Sequence, residues 1–172
     1  ALPENIVGLY LPGGYPELHA RELSENTSIL CEIKRKIESG LPTAAECGGF
    51  LYLGQSLTDA EGQSWPMAGV LPGEAKDAGR LVRFGYAALS ADSDSLRFRA
   101  GESFPVHEFH HWDSTANGTA LAAKKPVGSA AWRCGFVNEH FYAGFPHLYW
   151  AGTPLPQRFA AAAENYRRDH DC

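Results

Sequence analysis

The stretch Leu41-Pro42-Thr43-Ala44-Ala45-Glu46-Cys47-Gly48-Gly49-Phe50-Leu51-Tyr52-Leu53 constrains the fold more than any other part of the chain. A weakly apolar run leads into a thiol, two glycines follow, and an unbroken apolar run comes next, which reads as strand, tight turn, helix. Such a turn has the geometry of a nucleophile elbow, whose strained backbone exposes one side chain at the carboxyl edge of a sheet. The N-terminus of the following helix is expected to lower the thiol pKa, and its N–H groups to face an oxyanion. The same residues also read as a buried core cysteine ahead of a glycine turn.

The flanking pattern supplies the rest of a sheet. Ile6 to Leu11 is a short apolar run stopped by Pro12-Gly13-Gly14, a buried strand entering a glycine turn. From Pro16 to Gly40 the apolar residues Leu18, Leu23, Leu30, Ile33 and Ile37 fall near helical spacing, and the capping cluster Asn26-Thr27-Ser28 predicts a break. Strand, helix and strand in this order build a parallel sheet covered by helices, so the fold class is α/β. Beyond Gly62, short runs at Met67–Leu71, Leu81–Leu89, Leu96–Arg99, Val106–Trp112 and Ala131–Phe136 read as strands and hairpins, an added antiparallel portion. A last helix is expected from Leu155 to about Arg168.

Composition narrows the partner. The 172 residues carry 15 Lys and Arg against 20 Asp and Glu, a formal net charge of -5, which argues against a general nucleic-acid or anionic-membrane surface. No run approaches the roughly 20 apolar residues of a membrane helix, and no signal segment opens the chain, so a cytoplasmic protein is expected. Cys31, Cys47, Cys134 and Cys172 lack the paired spacing of zinc ribbons or redox dithiols. Residues 1–172 suit one domain, and the opening Ala1-Leu2-Pro3-Glu4 without methionine suggests a piece of something longer. No phosphate-binding loop is present, so ATP chemistry is expected elsewhere.

Three further segments carry candidate chemistry. In Pro12-Gly13-Gly14-Tyr15-Pro16-Glu17 the glycines let backbone N–H groups approach a substrate at the same sheet edge as Cys47, although glycine turns after strands are common structural features. His107-Glu108-Phe109-His110-His111 matches the zinc-peptidase pattern H-E-x-x-H, which would make the chain a zinc hydrolase. That pattern needs a helix; the surroundings read as strand, with His107, Phe109 and His111 on one face and Glu108 and His110 on the other, and no metal is expected. His147, among aromatic residues late in the chain, is either a core histidine or the imidazole that a thiol nucleophile needs to move its proton.

Together PGGYPE, AECGGFLYL, VHEFHHWD and GFPHLYWAG resemble, in that order, the C-terminal glutamine amidotransferase domains of cobyrinic acid a,c-diamide synthases, the corrinoid-amidating branch of the class I amidotransferases. The resemblance spans nearly the whole chain and implies a flavodoxin-like domain with a central, mostly parallel sheet. It implies hydrolysis of L-glutamine through a cysteine thioester, with ammonia passed to an ATP-dependent synthetase domain that amidates the a and c acetates of a corrinoid acceptor. It makes Cys47 the nucleophile, His147 the base, the N–H groups of Gly14 and Gly48 the oxyanion donors, and Gly13 and His110 contacts to glutamine. No cofactor is implied for this domain; ATP and Mg2+ belong to the synthetase. Cobalt corrinoid, metal-free corrinoid and nickel tetrapyrrole acceptors all stay open, as does a silent docking domain.

Three positions depart from the family pattern. Leu148-Tyr149 follows His147 where many class I members have Pro-Glu, so no third triad carboxylate is visible. The corrinoid branch reads H-L-H there, and Tyr149 departs from that too, while Leu51 stands where the wider superfamily has glutamine. If His147 lies in an extended segment, Tyr149 shares its side of the fold and is expected to stand in partly for the carboxylate. The isolated domain is then expected to be a slow glutaminase, since that carboxylate fixes the tautomer and stabilises imidazolium.

Overall fold

The computed structural model describes residues 1–170; Cys172, counted above among the thiols, lies outside them. In chain order the strands are β1 (Leu9–Leu11), β2 (Thr43–Glu46), β3 (Ser56–Thr58), β4 (Ser64–Pro66), β5 (Glu74–Asp77), β6 (Arg83–Ala91), β7 (Ser103–His110), β8 (Trp112–Ser114), β9 (Leu121–Lys124), β10 (Ala131–Cys134), β11 (Phe136–Val137), β12 (Phe141–Gly144) and β13 (His147–Leu148). The helices are α1 (Ala20–Glu25), α2 (Thr27–Glu38), α3 (Gly48–Tyr52) and α4 (Leu155–Asp169).

These build three sheets. β1, β2 and β12 run parallel, and β11 pairs antiparallel with β12, in the order β1-β2-β12-β11. An antiparallel sheet follows the order β10-β9-β6-β7-β13, and a small mixed sheet the order β4-β3-β5-β8. The expected α/β layer is thus present, and its antiparallel companion is the wider of the two.

β2 and β12 are buried at every position, as parallel strands covered on both faces must be. Their alternation divides the interior. Ala45, Phe141 and Ala143 join a core with Leu30, Ile33, Phe50 and Leu53, whereas Ala44 and Tyr142 face a second core of Leu89, Phe98, Val106, Leu121 and Leu155. The parallel sheet is the wall between the two cores, so its carboxyl edge is held from both sides.

The break at Asn26 is real: its side chain accepts from the Ile29 N–H at 3.4 Å, capping α2. The last helix runs from Leu155 to Asp169. Two expected strands are not formed. In Met67–Leu71 the N–H groups of Met67, Ala68, Val70 and Leu71 turn to the carbonyls of Gln55, Tyr52 and Leu53, wrapping the end of α3 instead of joining a ladder. In Leu96–Arg99 the Ser95 N–H closes a turn on the Phe98 carbonyl, and both Arg97 and Phe98 are fully buried, which strand alternation on a single core face does not provide. A short apolar run marks burial before it marks a strand. The β3–β4 hairpin, closed by Gly62 N–H on the Asp59 carbonyl, lacked such a run and went unread.

Candidate active site

Cys47 follows β2 directly, with φ 51° and ψ -108°, a positive-φ conformation that costs a non-glycine residue on the order of 1–3 kcal/mol. Surrounding bonds impose it: the Cys47 N–H donates to the Gly144 carbonyl at 2.9 Å, and its own carbonyl accepts from Leu51 N–H at 3.0 Å to start α3. The glycines that follow are required by close approach. A Cβ at Gly48 would lie 2.7 Å from the Gly14 carbonyl oxygen, and one at Gly49 only 2.2 Å from that of Leu11. The turn after β1 therefore lies directly on the start of α3, as the elbow reading requires.

That same turn meets His147. A Cβ at Gly13 would sit 2.4 Å from the imidazole Cε1, so the ring rests on Gly13 while Gly14 abuts Gly48. His147 opens β13, in register with His107 of β7, and the Tyr142 hydroxyl donates to the Pro146 carbonyl at 2.8 Å to hold the preceding turn. Cys47, Gly48, Gly13, Gly14 and His147 are thus assembled around one dipeptide at the carboxyl edge of the parallel sheet.

A residue given no role by sequence reasoning lies behind them. Glu46, 2% exposed, places its Oε2 3.8 Å from His147 Nδ1. It also accepts from the Tyr10 hydroxyl at 3.1 Å, Trp150 Nε1 at 3.3 Å and the guanidinium of fully buried Arg97 at 3.4 Å. Trp150 covers that guanidinium, with Arg97 Cζ 3.5 Å from the ring centroid. The available signal was a carboxylate in an otherwise apolar buried strand, which must find partners. Tyr149, expected to replace the missing carboxylate, is instead 62% exposed, because β13 ends at Leu148 and the extended alternation stops there.

The HEFHH segment forms the other wall. His107 to His110 lie on β7, not on a helix, and Glu108 and His110 face inward. His110 Nδ1 donates to the Trp112 carbonyl at 2.7 Å, and its ring stacks on Phe145 with centroids 3.7 Å apart. Its Nε2 is 3.2 Å from Glu108 Oε2, so with Nδ1 already carrying a proton this second contact needs another, on the imidazole or on the carboxyl. A cavity of about 110 Å³ is lined by Gly14, Cys47, Gly48, Phe109 and His110 among others. A roomier groove of about 560 Å³, between the end of α2 and β11, lies away from Cys47 and His147. Among the described residues, no group of three or more His, Cys, Asp and Glu side chains is placed to hold a metal ion.

Residues 1–154 match the family model of the CobB/CobQ-like glutamine amidotransferase domain. The chain belongs to this family. The CobB/CobQ-like domain is 40% identical over 149 residues, 86% of its length, to the cobyrinate a,c-diamide synthase of Caldanaerobacter subterraneus, covering 33% of that protein. It is 35% identical to the hydrogenobyrinate a,c-diamide synthase of Thermobifida fusca, over 97% of this chain and 35% of that one. The chain therefore spans about a third of the length of the curated relatives it matches. A crystal structure of a glutamine amidotransferase shares the fold, with a TM-score of 0.56 at 19% identity over 94% of this chain and 81% of the other.

The electrostatics of this CobB/CobQ-like domain correct one expectation. Burial pushes the Cys47 thiol up to about 11, aided by the carboxylates of Glu17, Glu108 and Glu46; the hydrogen bond from the Gly48 backbone opposes this and does not prevail. α3 is five residues long, too short to offset the desolvation of a thiolate. Burial likewise holds His147 below the usual histidine value, with His107 and His110 adding repulsion and Glu108 opposing. At neutral pH the pair rests as thiol and neutral imidazole, not as an ion pair.

Proposed function

We propose that this chain is the glutaminase part of a corrinoid a,c-diamide synthase, hydrolysing L-glutamine at Cys47. The carrying observation is the strained Cys47 on a strand-to-helix elbow whose glycines pack on the same turn as His147. With Nδ1 towards Glu46, Nε2 is the nitrogen left to face the thiol. As glutamine enters, His147 takes the Sγ proton while sulfur bonds to the side-chain amide carbon, and the oxyanion is met by the N–H groups of Gly14 and Gly48. Return of that proton to nitrogen breaks the C–N bond, releasing ammonia and leaving a γ-glutamyl thioester. A water molecule then gives His147 a proton and attacks the thioester; the C–S bond breaks, the thiolate recovers the proton, and glutamate leaves. His110 lines the cavity that the amino acid would enter, and Gly13 lies next to it under the His147 ring.

A neutral resting pair suits this reaction, because a permanently exposed thiolate would react without substrate, whereas here the thiol ionises only as the imidazole is brought to it. The ammonia is passed to an ATP- and Mg2+-dependent synthetase portion, which amidates the a and c acetates of a corrinoid. Names of the relatives support both the cobalt-containing and the metal-free substrate. Cytoplasmic location follows from the same reading.

The test is covalent labelling with a glutamine-derived diazoketone followed by peptide mapping. One adduct on Cys47, prevented by excess L-glutamine and absent from Cys47→Ala, is expected. Modification spread over Cys31 and Cys134 with no glutamine protection would overturn the proposal and favour a docking domain.

A further inference from the structure

We infer that Glu46, the residue immediately before the nucleophile, is the positioning residue of His147, supplying the carboxylate that the chain lacks two residues after that histidine. The inference rests on the glutaminase reading above and deepens it. Its ground is geometric: Glu46 Oε2 lies 3.8 Å from Nδ1, the ring is confined on another side by Gly13, and the carboxylate is 3% exposed at its side chain whereas the imidazole is 35% exposed. A buried anion held by its neighbours is a fixed reference against which a freer ring can be set.

The other partners of Glu46 explain how it stays in place. Tyr10 from β1, Trp150 beyond β13 and Arg97 from the loop before β7 each donate to it. β2 delivers the carboxylate and thiol as consecutive residues, and β12 fixes that end through Glu46 in register with Gly144. A distance of 3.8 Å exceeds a hydrogen bond, which fits a resting imidazole that Glu46 does not hold charged. Once the ring accepts the thiol proton, the imidazolium Nδ1–H has an anion to close upon, and the proton transfer is stabilised at the step that needs it.

A purely structural role, as counter-ion of Arg97, is the competing explanation, and a set of variants separates the two. Glutamine hydrolysis, diazoketone inactivation and thermal melting would be measured for the chain, Glu46→Asp, Glu46→Gln and Glu46→Gln/Arg97→Gln. The double variant removes both members of the buried ion pair, so its fold does not depend on an unpaired guanidinium. Positioning predicts that Glu46→Gln lowers kcat by about tenfold or more with KM nearly unchanged, and that Glu46→Asp recovers part of the loss. It predicts that the double variant melts closer to the parent than Glu46→Gln does while staying slow. The groups facing His147 are Glu46 from β2 and His107, Glu108 and His110 from β7. Glu46→Gln removes the anion that the imidazolium would close upon during the reaction, so the acid limb of kcat should move to lower pH. Recovery of kcat together with melting in the double variant, or a parent-like kcat and acid limb in Glu46→Gln, overturns the role of Glu46 alone. Failure of the parent chain to be labelled at Cys47 overturns the glutaminase reading and this inference with it.

Discussion

Glu46 at the end of β2 and Glu108 within β7 are both 2% exposed, and each confronts a histidine, yet the two sheets treat them differently. Glu46 is met by donors from Tyr10, Trp150 and Arg97, and its histidine, His147, stands 3.8 Å away with its ring partly open. Glu108 spends one oxygen on His110 at 3.2 Å and Arg83 at 3.8 Å, while its Oε1 has no hydrogen-bond partner among the described residues. His110 is pinned between the Trp112 carbonyl and the face of Phe145. A saturated anion beside a free ring can respond when that ring changes charge; an anion sharing its contact with a pinned ring shapes a wall. On the glutaminase reading, the end of the parallel sheet brings the thiol and its neighbouring carboxylate, the edge strand β13 of the antiparallel sheet brings His147 to them, and Glu108 and His110 of β7 give the cavity its form.

The strongest way to break this division is Gly13→Ala. The added methyl would lie 2.4 Å from His147 Cε1, and the nearest atoms it meets belong to the imidazole alone, so the ring must swing away while the backbone stays. A displacement of about 1 Å is enough to cost roughly a hundredfold in kcat, with little change in melting temperature. Gly49→Ala is the contrasting control: its Cβ meets Leu11 backbone at 2.2 Å, so it should lower the melting temperature first and activity only in consequence. Equal loss of stability in both would mean that Gly13 is a packing residue and that His147 is not set by it.

The parts of this arrangement that were legible in sequence are those enforced by local sterics. Gly48 and Gly49 after a short apolar run announced the elbow because no side chain fits between α3 and the end of β1. HEFHH declared itself a strand through Phe104-Pro105-Val106 before it, and β7 bears this out with Glu108 and His110 inward. Long-range electrostatics left no such trace. Arg97 lies 51 positions from Glu46 in a turn whose apolar neighbours imitate a strand. The direction of the Cys47 shift was misjudged because a helix start is visible in sequence, whereas the burial that outweighs it comes from β7 and the turn after β1. Tyr149 was placed by an alternation that ends one residue too early.

A smaller effect sharpens the comparison from the other wall. His110→Phe keeps a ring to stack on Phe145 and removes both ring nitrogens, so it should preserve the base and weaken the cavity. Both ring nitrogens are held by Trp112 and Glu108, so the variant loosens the wall and does not remove a direct bond to glutamine; the expected cost is about 1 kcal/mol, or roughly five- to tenfold in KM, with kcat altered much less. Glu46→Gln is expected to do the reverse. Steady-state kinetics on both variants tests the pairing directly: a fall in kcat with unchanged KM for His110→Phe would place a reacting group on β7 and dissolve the distinction.

The smallest expected effect concerns a carboxylate that water can reach. Glu102 forms a two-pronged pair with Arg158 of α4, at 2.5 Å and 2.7 Å, and the same guanidinium donates to the Arg97 carbonyl at 2.9 Å, tying α4 to the loop that supplies the buried arginine. Hydrogen bonding from Arg158 draws the Glu102 carboxyl down to about 2. Because the folded-state value is depressed, the stabilisation is fully present above the ordinary carboxylate range and is lost as pH falls through about 2. Solvent screening limits its size: with side chains 31% and 19% exposed, Glu102→Gln should cost only about 0.5–1 kcal/mol at neutral pH. Melting curves of the parent and the variant should therefore differ by a few degrees at pH 7 and converge on acidification, and added salt should narrow the gap at pH 7 as well. A gap that persists unchanged at low pH and high salt would show that Glu102 acts through packing of its stem, and that the Arg97 loop is held on the Glu46 side by shape and not by charge.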